Sequence, residues 1–181
     1  KAIWLIGDMT QKNNSFSLWL IGPSASGKTT VSKIIHKTLS EKYKNLTLLD
    51  GDHGRKIFVR ESGYDPISRS KNIRQYVSII SWISSFNIPS IVAAINAFEK
   101  DRIFCRNEIK NYKEVYLKSS LKTRMSRDKK KLYAPALNGE KKNVVGVDIP
   151  FENPAKADLV IDTESATPEE IAQKIIKDLK L

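Results

Sequence analysis

The stretch Gly22-Pro23-Ser24-Ala25-Ser26-Gly27-Lys28-Thr29 decides the fold of this chain. It matches the phosphate-binding pattern G-x-x-x-x-G-K-[ST] at every fixed position. The short apolar run at residues 17–21 before it predicts a buried strand, and the apolar spacing of residues 29–43 after it predicts a helix. A strand, a glycine-bounded loop and a helix are the setting that this pattern requires, and we expect the chain to bind a nucleoside triphosphate.

The residue types of this loop suit a phosphate. Glycines at both ends let several backbone N–H groups point inward at an anion, and the start of the helix adds unpaired N–H groups and the positive end of its dipole. We expect Lys28 to reach the β- and γ-phosphates and the Thr29 hydroxyl to bind Mg²⁺. An ordinary Gly/Ser-rich turn between a strand and a helix is the weaker alternative.

The rest of the chain alternates strands with helices. Further strands are expected at 46–49, 90–95, 114–117 and 157–161, and helices at 68–86 and 101–111. A terminal helix is predicted to open at Thr167-Pro168-Glu169-Glu170, which combines a capping threonine, a proline at the first helical position and a glutamate three residues on. The predicted fold class is α/β, with a doubly wound, mostly parallel five-stranded sheet of the P-loop NTPase type.

A single kinase-sized domain over residues 17–181 fits the length, because about 100–200 residues per domain is usual. Residues 121–153 are rich in Lys, Gly, Asn and Pro and have weak periodicity, which predicts a mobile lid beside the nucleotide site. Residues 1–16 are predicted to be an N-terminal extension, either an extra strand or disordered, because their apolar part echoes residues 18–22.

The net charge of +11 over 181 residues admits nucleic acid, an anionic membrane or small polyanionic substrates as partners. The positive residues are dispersed apart from 129–131 and 141–142, and neither an aromatic-interleaved RNA-binding pattern nor an apolar run of about 18 residues is present. Anionic nucleotides are therefore the expected partners, rather than nucleic acid or membrane. The lone Cys105 excludes an intrachain disulfide and favours a reducing, cytoplasmic location.

A second set of motifs follows the loop in a fixed order. It consists of Leu49-Asp50-Gly51-Asp52 with Arg55, Gly63-Tyr64 with Arg69 and Asn72, Arg127-Asp128 with Leu132-Tyr133, Lys142-Asn143, Pro150-Phe151-Glu152, and 158–163. In this order the chain resembles the adenylylsulfate (APS) kinase family from Leu18 to about Asp162. Members of that family use ATP to phosphorylate the ribose 3′-hydroxyl of adenosine 5′-phosphosulfate.

The resemblance implies an ATP- and Mg²⁺-dependent phosphotransferase that acts on a small anionic nucleotide-linked substrate as a homodimer. It implies catalytic roles for Lys28 and Asp52, because a carboxylate can orient or deprotonate the acceptor hydroxyl, and a metal site at Thr29 and Asp52. The implied ATP-binding residues are Gly22, Ser24, Ala25, Ser26, Gly27, Lys28, Thr29, Thr30 and Arg127. The implied substrate-binding residues are Asp52, Arg55, Tyr64, Arg69, Asn72, Ile95, Asn96, Ala97, Lys142 and Val144.

Departures from the family pattern bear on the acceptor. The usual Ser-Pro-Phe-Arg after the third strand is Asn96-Ala97-Phe98-Glu99 here, and the asparagine and valine usual after Asp-Gly-Asp are His53 and Gly54. The lid aromatic that sandwiches adenine falls at Val144, and base stacking of that kind is worth about 1–3 kcal/mol. Two acceptors stay open: APS, in sulfate assimilation, and cytidine diphosphoramidate, in capsule biosynthesis.

Three residue assignments and two functions are left as alternatives. Asp50 either binds the metal or caps its own turn, and His36 and His53 are predicted to be surface and loop residues rather than zinc ligands. Another nucleoside monophosphate or sugar kinase would share the loop, but would not predict the set Arg55, Arg69 and Asn72. A nucleic-acid-binding ATPase would rest on the net charge alone.

Overall fold

In a computed structural model of the chain, the structure describes residues 15–57 and 63–181. The strands are β1 (Ser17–Ile21), β2 (Thr47–Asp50), β3 (Ser90–Ala94), β4 (Tyr112–Lys118) and β5 (Leu159–Asp162). The helices are α1 (Lys28–Leu39), α2 (Gly51–Ile57), α3 (Pro66–Ser85), α4 (Glu99–Glu108), α5 (Leu121–Ser126), α6 (Tyr133–Leu137) and α7 (Pro168–Asp178).

The five strands form one sheet in the order β2-β3-β1-β4-β5, and every neighbouring pair is parallel. The predicted α/β fold with a five-stranded sheet is therefore confirmed. Because β1 has β3 on one side and β4 on the other, the loop that follows it opens where the strand order reverses. In open α/β sheets, ligands bind in the crevice at that point.

The two faces of β1 pack against different helices, because successive side chains of a strand point to opposite faces. Leu18 and Leu20 pack in a cluster that also contains residues of α1 and α7. Trp19 and Ile21 pack in a second cluster with residues of α3 and α4. A strand that is buried on both faces has no polar face, which accounts for the unbroken apolar run that the sequence shows.

Two regions differ from the sequence-based expectation. The helix α2 follows β2 directly. The sequence did not predict this helix, because Gly51 and Gly54 lower the helix propensity of the stretch. The predicted lid contains α5 and α6, which have 6 and 5 residues and are too short to show helical periodicity. The cap of α7 is confirmed, since Thr167 and Glu170 form the predicted capping box.

The predicted N-terminal extension lies mainly outside the described residues. Its last two residues, Ser15 and Phe16, are buried, and Phe16 belongs to the cluster on the α1 side of the sheet. In the parts of the chain that the structure describes, no helix is long and apolar enough to cross a membrane.

Candidate active site

The phosphate loop takes a shape that two glycines permit. Gly22 has φ +150°, and a Cβ there would lie 2.7 Å from Ser26 Oγ and 2.8 Å from the Leu117 carbonyl oxygen. Gly27 has φ +93° and caps α1, where its carbonyl accepts from Val31 N at 3.0 Å. The glycines that the pattern requires therefore meet a close approach at one end of the loop and a left-handed turn at the other.

Lys28 lies inside this loop. Its Nζ donates to the Pro23 carbonyl oxygen at 2.6 Å and to Ser26 Oγ at 3.4 Å, and its side chain is buried. Burial lowers the pKa of Lys28 to about 7; Asp50 raises that pKa in part, and Lys130 lowers it. An anion placed in the loop would favour the charged form of this lysine.

Asp50 joins the loop to the first turn of α2. The Thr29 hydroxyl donates to Asp50 Oδ2 at 2.6 Å, and the backbone N–H of Asp52 donates to Asp50 Oδ1 at 3.0 Å. Asp50 therefore both caps its own turn and contacts the predicted metal-binding hydroxyl. The carboxylate of Asp52 instead pairs with Lys130 of the lid.

This donor set fits Mg²⁺. A hydroxyl and two carboxylates are hard oxygen ligands, and Mg²⁺ is usually held by one or two carboxylates, phosphates and water. Within residues 15–57 and 63–181 there is no group of three His, Cys, Asp or Glu side chains that could hold a metal by itself. Thr29 with Asp50 is the pair in contact, and the predicted metal role of Asp52 stays a prediction.

Three of the predicted acceptor-binding residues lie together. The guanidinium carbon of Arg55 lies 4.3 Å from the centre of the Tyr64 ring, and that of Arg69 lies 5.7 Å from the same centre. Arg55 also donates to the Gly63 carbonyl oxygen at 3.1 Å. Tyr64 is 59% exposed and faces two cations, so this corner is suited to an anionic nucleotide with an exposed aromatic ring for its base.

Arg69 connects this corner to the lid. Its Nη2 donates to the Asn143 carbonyl oxygen at 2.7 Å, while its buried Nε has no hydrogen-bond partner among the described residues. Burial, and then the charge of Arg55, lower the pKa of Arg69 to about 10. Asn72 is buried one turn further along α3. The side chain of Arg69 therefore keeps a charged donor group unpaired at the predicted acceptor site.

The predicted residues after β3 face the interior. Asn96 is fully buried, and its Nδ2 donates to Cys105 Sγ at 3.5 Å. Ala97 is buried against Val145 and Ile149 of the lid, and Ile95 packs on the same cluster. These residues join the end of β3 to the lid, and their contact with a substrate stays a prediction.

Val144 also lies inside the protein. It is 5% exposed and packs with Tyr133 and Ala136 in the core of the lid, and its backbone N–H donates to Asp148 Oδ1 at 2.6 Å. Lys142, two residues earlier, is exposed. Contact of either side chain with the acceptor stays a prediction, and an aromatic residue in place of Val144 would have to fit into the core of the lid.

Two lid contacts were not foreseen. The Tyr133 hydroxyl donates to the Ser24 carbonyl oxygen at 2.8 Å and so ties α6 to the phosphate loop. Lys130 pairs with Asp52. Tyr133 lies in a matched motif that carried no assigned role, and Lys130 lies in the lysine run after Arg127, for which the family resemblance implies a place on the ATP side rather than a contact with Asp52. The predicted ATP residue Arg127 donates to the Thr163 hydroxyl at 3.0 Å and to its carbonyl oxygen at 2.9 Å.

A family model described as adenylylsulphate kinase matches residues 14–162. The cytidine diphosphoramidate kinase of Campylobacter jejuni is 39% identical over 171 residues, which cover 94% of this chain and 99% of that protein. A probable adenylyl-sulfate kinase of Pyrococcus abyssi is 33% identical over 165 residues, which cover 91% of this chain and 95% of that protein.

Among solved structures, the APS kinase of Mycobacterium tuberculosis in complex with AMPPNP and APS superposes with a TM-score of 0.85 at 28% identity. The superposition covers 92% of this chain and 98% of that one. Fold, family and overall length therefore agree between the three comparisons.

Proposed function

The chain belongs to the adenylylsulphate kinase family, a family of ATP-using phosphotransferases, and we propose that it phosphorylates the ribose 3′-hydroxyl of a nucleotide that carries a small activated anion. One observation carries the proposal: in α2, Asp52 lies one turn before Arg55, between the phosphate loop and the corner formed by Arg55, Tyr64 and Arg69. The charge of Asp52 acts on Lys28, while Arg55 lies on the Tyr64 ring.

The residues divide the reaction between them. The N–H groups of the loop and Lys28 hold the triphosphate and stabilise the charge that develops on the transferring group. The Asp52 carboxylate orients the acceptor hydroxyl and accepts its proton. Arg55 and Arg69 hold the anionic end of the acceptor. Thr29 with Asp50 or Asp52 would hold Mg²⁺, which would supply positive charge where the triphosphate binds.

We favour cytidine diphosphoramidate as the acceptor. The relative at 39% identity, matched over 99% of its length, bears the name of that activity. The side chain at position 144 is a valine within the lid core, which leaves Tyr64 as the exposed aromatic ring among the described residues of this corner. A pyrimidine offers a smaller stacking face than adenine, and it would lose less from the absence of a second ring.

APS is the second candidate, and a specific observation favours it. The structure that superposes with a TM-score of 0.85 was solved with APS bound, and Arg55 and Arg69 of this chain would suit a sulfate as well as a phosphoramidate. The two candidates differ in the base and in the terminal group, so one chain can be tested against both under identical conditions.

The deciding experiment is a coupled ADP-release assay with ATP–Mg²⁺ and each acceptor in parallel. We expect turnover with cytidine diphosphoramidate, a lower kcat/KM with APS, and a product with its new phosphate on the 3′-oxygen by phosphorus NMR. A higher kcat/KM with APS would reverse the order of the candidates. Turnover no higher than background hydrolysis with either acceptor would reject the proposed acceptor class.

Two further properties of the protein are proposals. We propose that residues 121–153 act as a lid that closes over the two nucleotides, and that the protein is a homodimer, measurable by light scattering coupled to gel filtration. A polynucleotide added to the same assay tests the nucleic-acid-binding ATPase, since that class would show stimulated ATP hydrolysis with a steep dependence on salt.

A further inference from the structure

The helix α2 carries two residues of the proposed reaction but has little to hold it in place. Among its seven residues, all of which the structure describes, Gly54 alone is buried. The side chain of Asp52 is 66% exposed, and Lys56 and Ile57 are exposed as well. Short helices depend on tertiary contacts rather than on their own propensity, so the placement of Asp52 and Arg55 depends on what α2 touches.

One of these contacts is the ring of Tyr76 on α3; others are with β2 and β3, where a Cβ at Gly51 would lie 3.2 Å from the Ala93 carbonyl oxygen. A Cβ at Gly54 would lie 2.6 Å from Tyr76 Cε1, 2.8 Å from Cζ and 2.9 Å from the hydroxyl oxygen. The Tyr76 hydroxyl donates to the Gly51 carbonyl oxygen at 2.9 Å. Gly51 and Gly54 are three residues apart and lie on one face of the helix, and this face meets the tyrosine ring at Gly54 and β3 at Gly51.

Tyr76 cannot move aside freely. It is 3% exposed and packs in a cluster with Ile73, Val77 and Ile80 of its own helix. Burial raises the pKa of Tyr76 to about 12, so its hydroxyl keeps its proton at neutral pH and can donate to Gly51. The ring is a fixed support rather than an adaptable one.

We propose that Tyr76 and Gly54 form a fitted pair that sets the position of α2, and with it the position of Asp52 and Arg55 relative to the acceptor nucleotide. Tyr76 is a positioning residue, since it acts through α2 and touches no reacting atom. The inference rests on the proposed function, because it assigns Asp52 and Arg55 to the acceptor.

Gly54→Ala tests the pair, because helix propensity and overlap with the ring predict changes in stability of opposite sign. Helix propensity alone predicts a more stable helix with alanine, whereas the overlap with the ring predicts a lower melting temperature. We expect kcat/KM for the acceptor to fall at least about tenfold, the effect of a small misplacement of reacting groups, with KM for ATP nearly unchanged. Ile57→Ala, at an exposed position of the same helix, is the control and should change neither quantity.

Tyr76→Phe tests the hydrogen bond while keeping the ring. We expect kcat/KM for the acceptor to fall about fivefold, the equivalent of one neutral hydrogen bond, again without a change in KM for ATP. Val77→Ala removes buried volume from the same helix and cluster. It should lower the melting temperature more than Tyr76→Phe does. It should leave unchanged the ratio of kcat/KM for the acceptor to kcat/KM for ATP.

The double variant Gly54→Ala/Tyr76→Leu makes room for the added methyl group. We expect its losses of stability and of kcat/KM for the acceptor to be smaller than the sum of the losses in Gly54→Ala and in Tyr76→Leu. Additive effects, or a Gly54→Ala chain with normal stability and acceptor kinetics, would overturn the pair. If Gly54→Ala fails to fold and the double variant folds, the pair is supported; if neither folds, Tyr76→Phe decides.

Failure of the proposed function would look different. An unmodified chain that turns over neither acceptor would reject the acceptor class. The melting temperatures of Gly54→Ala, Tyr76→Leu and the double variant would still report the fit between Gly54 and Tyr76, because that measurement needs no acceptor.

Discussion

Lys28 is a buried cation that has lost much of its charge before any phosphate arrives. Burial lowers its pKa to about 7, and Asp50 and Asp52 offset that shift only in part. A bound triphosphate would raise the pKa again. At pH 8.5, Lys28 of the ligand-free protein is mostly neutral and ATP is fully ionised. We therefore expect ATP binding to take up close to one proton, and calorimetry in buffers of different ionisation enthalpy measures this uptake.

Lys28→Arg is the control for this proton, because a guanidinium stays charged throughout this pH range and the uptake should disappear. Uptake that persists in the variant would assign the proton to another group. The same shift affects folding. Because the pKa of Lys28 in the folded protein lies below the ordinary lysine value of 10.5, the burial of Lys28 opposes folding most below pH 7, and this opposition fades as the pH rises towards 10.5.

Asp50 and Asp52 are two residues apart and face different partners, which predicts different defects. Asp50 contacts the Thr29 hydroxyl, so Asp50→Asn should raise the Mg²⁺ concentration needed for half-maximal rate. Asp52→Asn should instead lower kcat by about 10²–10⁴, the usual contribution of a general base, with ATP binding retained. Mg²⁺ titrations and kcat for both variants separate the roles.

An unchanged kcat in the Asp52→Asn chain would remove Asp52 from the chemistry. Identical defects in both variants would mean that the two carboxylates act as one unit. The matched pair is informative because both changes remove one charge and keep the size of the side chain.

At this scale, the sequence grouped Arg55, Tyr64 and Arg69, which are in contact, but it did not predict how the side chains of the two aspartates and of Val144 are turned. The loop could be assigned because its residues are contiguous and its glycines are required by backbone shape. Whether Asp50 or Asp52 faces Thr29 depends on the path of the chain at a strand-to-helix corner. The burial of Val144 depends on α6, which the sequence did not reveal.

Among the helices and strands, the sequence predicted those whose pattern is long enough to read. All five strands and the helices α1, α3, α4 and α7 lie close to their expected positions. The helices α2, α5 and α6 were missed because they are short and are stabilised by tertiary contacts. They are also the helices that carry Asp52 or belong to the lid, so the parts nearest to the site were the least predictable.

The Tyr133 hydroxyl donates a hydrogen bond from the lid to the phosphate loop, beside the packing of Ala25 on the lid core, and Tyr133→Phe tests that bond. The phenyl ring would keep its place beside Val144 and Ala136, while the Ser24 carbonyl would lose its donor. We expect the free energy of unfolding to fall by about 1 kcal/mol and KM for ATP to rise several-fold, measured by urea unfolding and initial rates.

Tyr112→Phe is the matched control for the lid. Tyr112 donates to Glu114 Oε2 at 2.6 Å and is buried. It lies at the start of β4, however, and the site is at the carboxyl ends of the strands. This variant should lose at least as much stability as Tyr133→Phe and keep KM for ATP unchanged. A rise in KM for ATP in both variants would indicate a general loosening rather than a lid contact.

Over the whole molecule, the net charge of +11 matters through its position. All five strands are parallel, so their carboxyl ends lie on one side of the sheet, and Lys130 of the exposed run 129–131 pairs with Asp52 on that side. Charges near the mouth of a site attract an anionic substrate, and salt screens the attraction over a Debye length of about 8–10 Å at 0.10–0.15 M.

Two double variants separate the position of this charge from its amount. Lys129→Gln/Lys131→Gln removes two charges beside the site, and Lys177→Gln/Lys180→Gln removes two at the end of α7, on the opposite edge. We expect the first to lower kcat/KM for the acceptor several-fold at 20 mM salt, with a smaller effect at 300 mM and little change in kcat, because the defect is in encounter. The α7 variant should match the unmodified chain at every salt concentration. Equal losses in both variants would mean that the net charge matters rather than its position, and a loss in kcat would place the lid lysines in the chemistry.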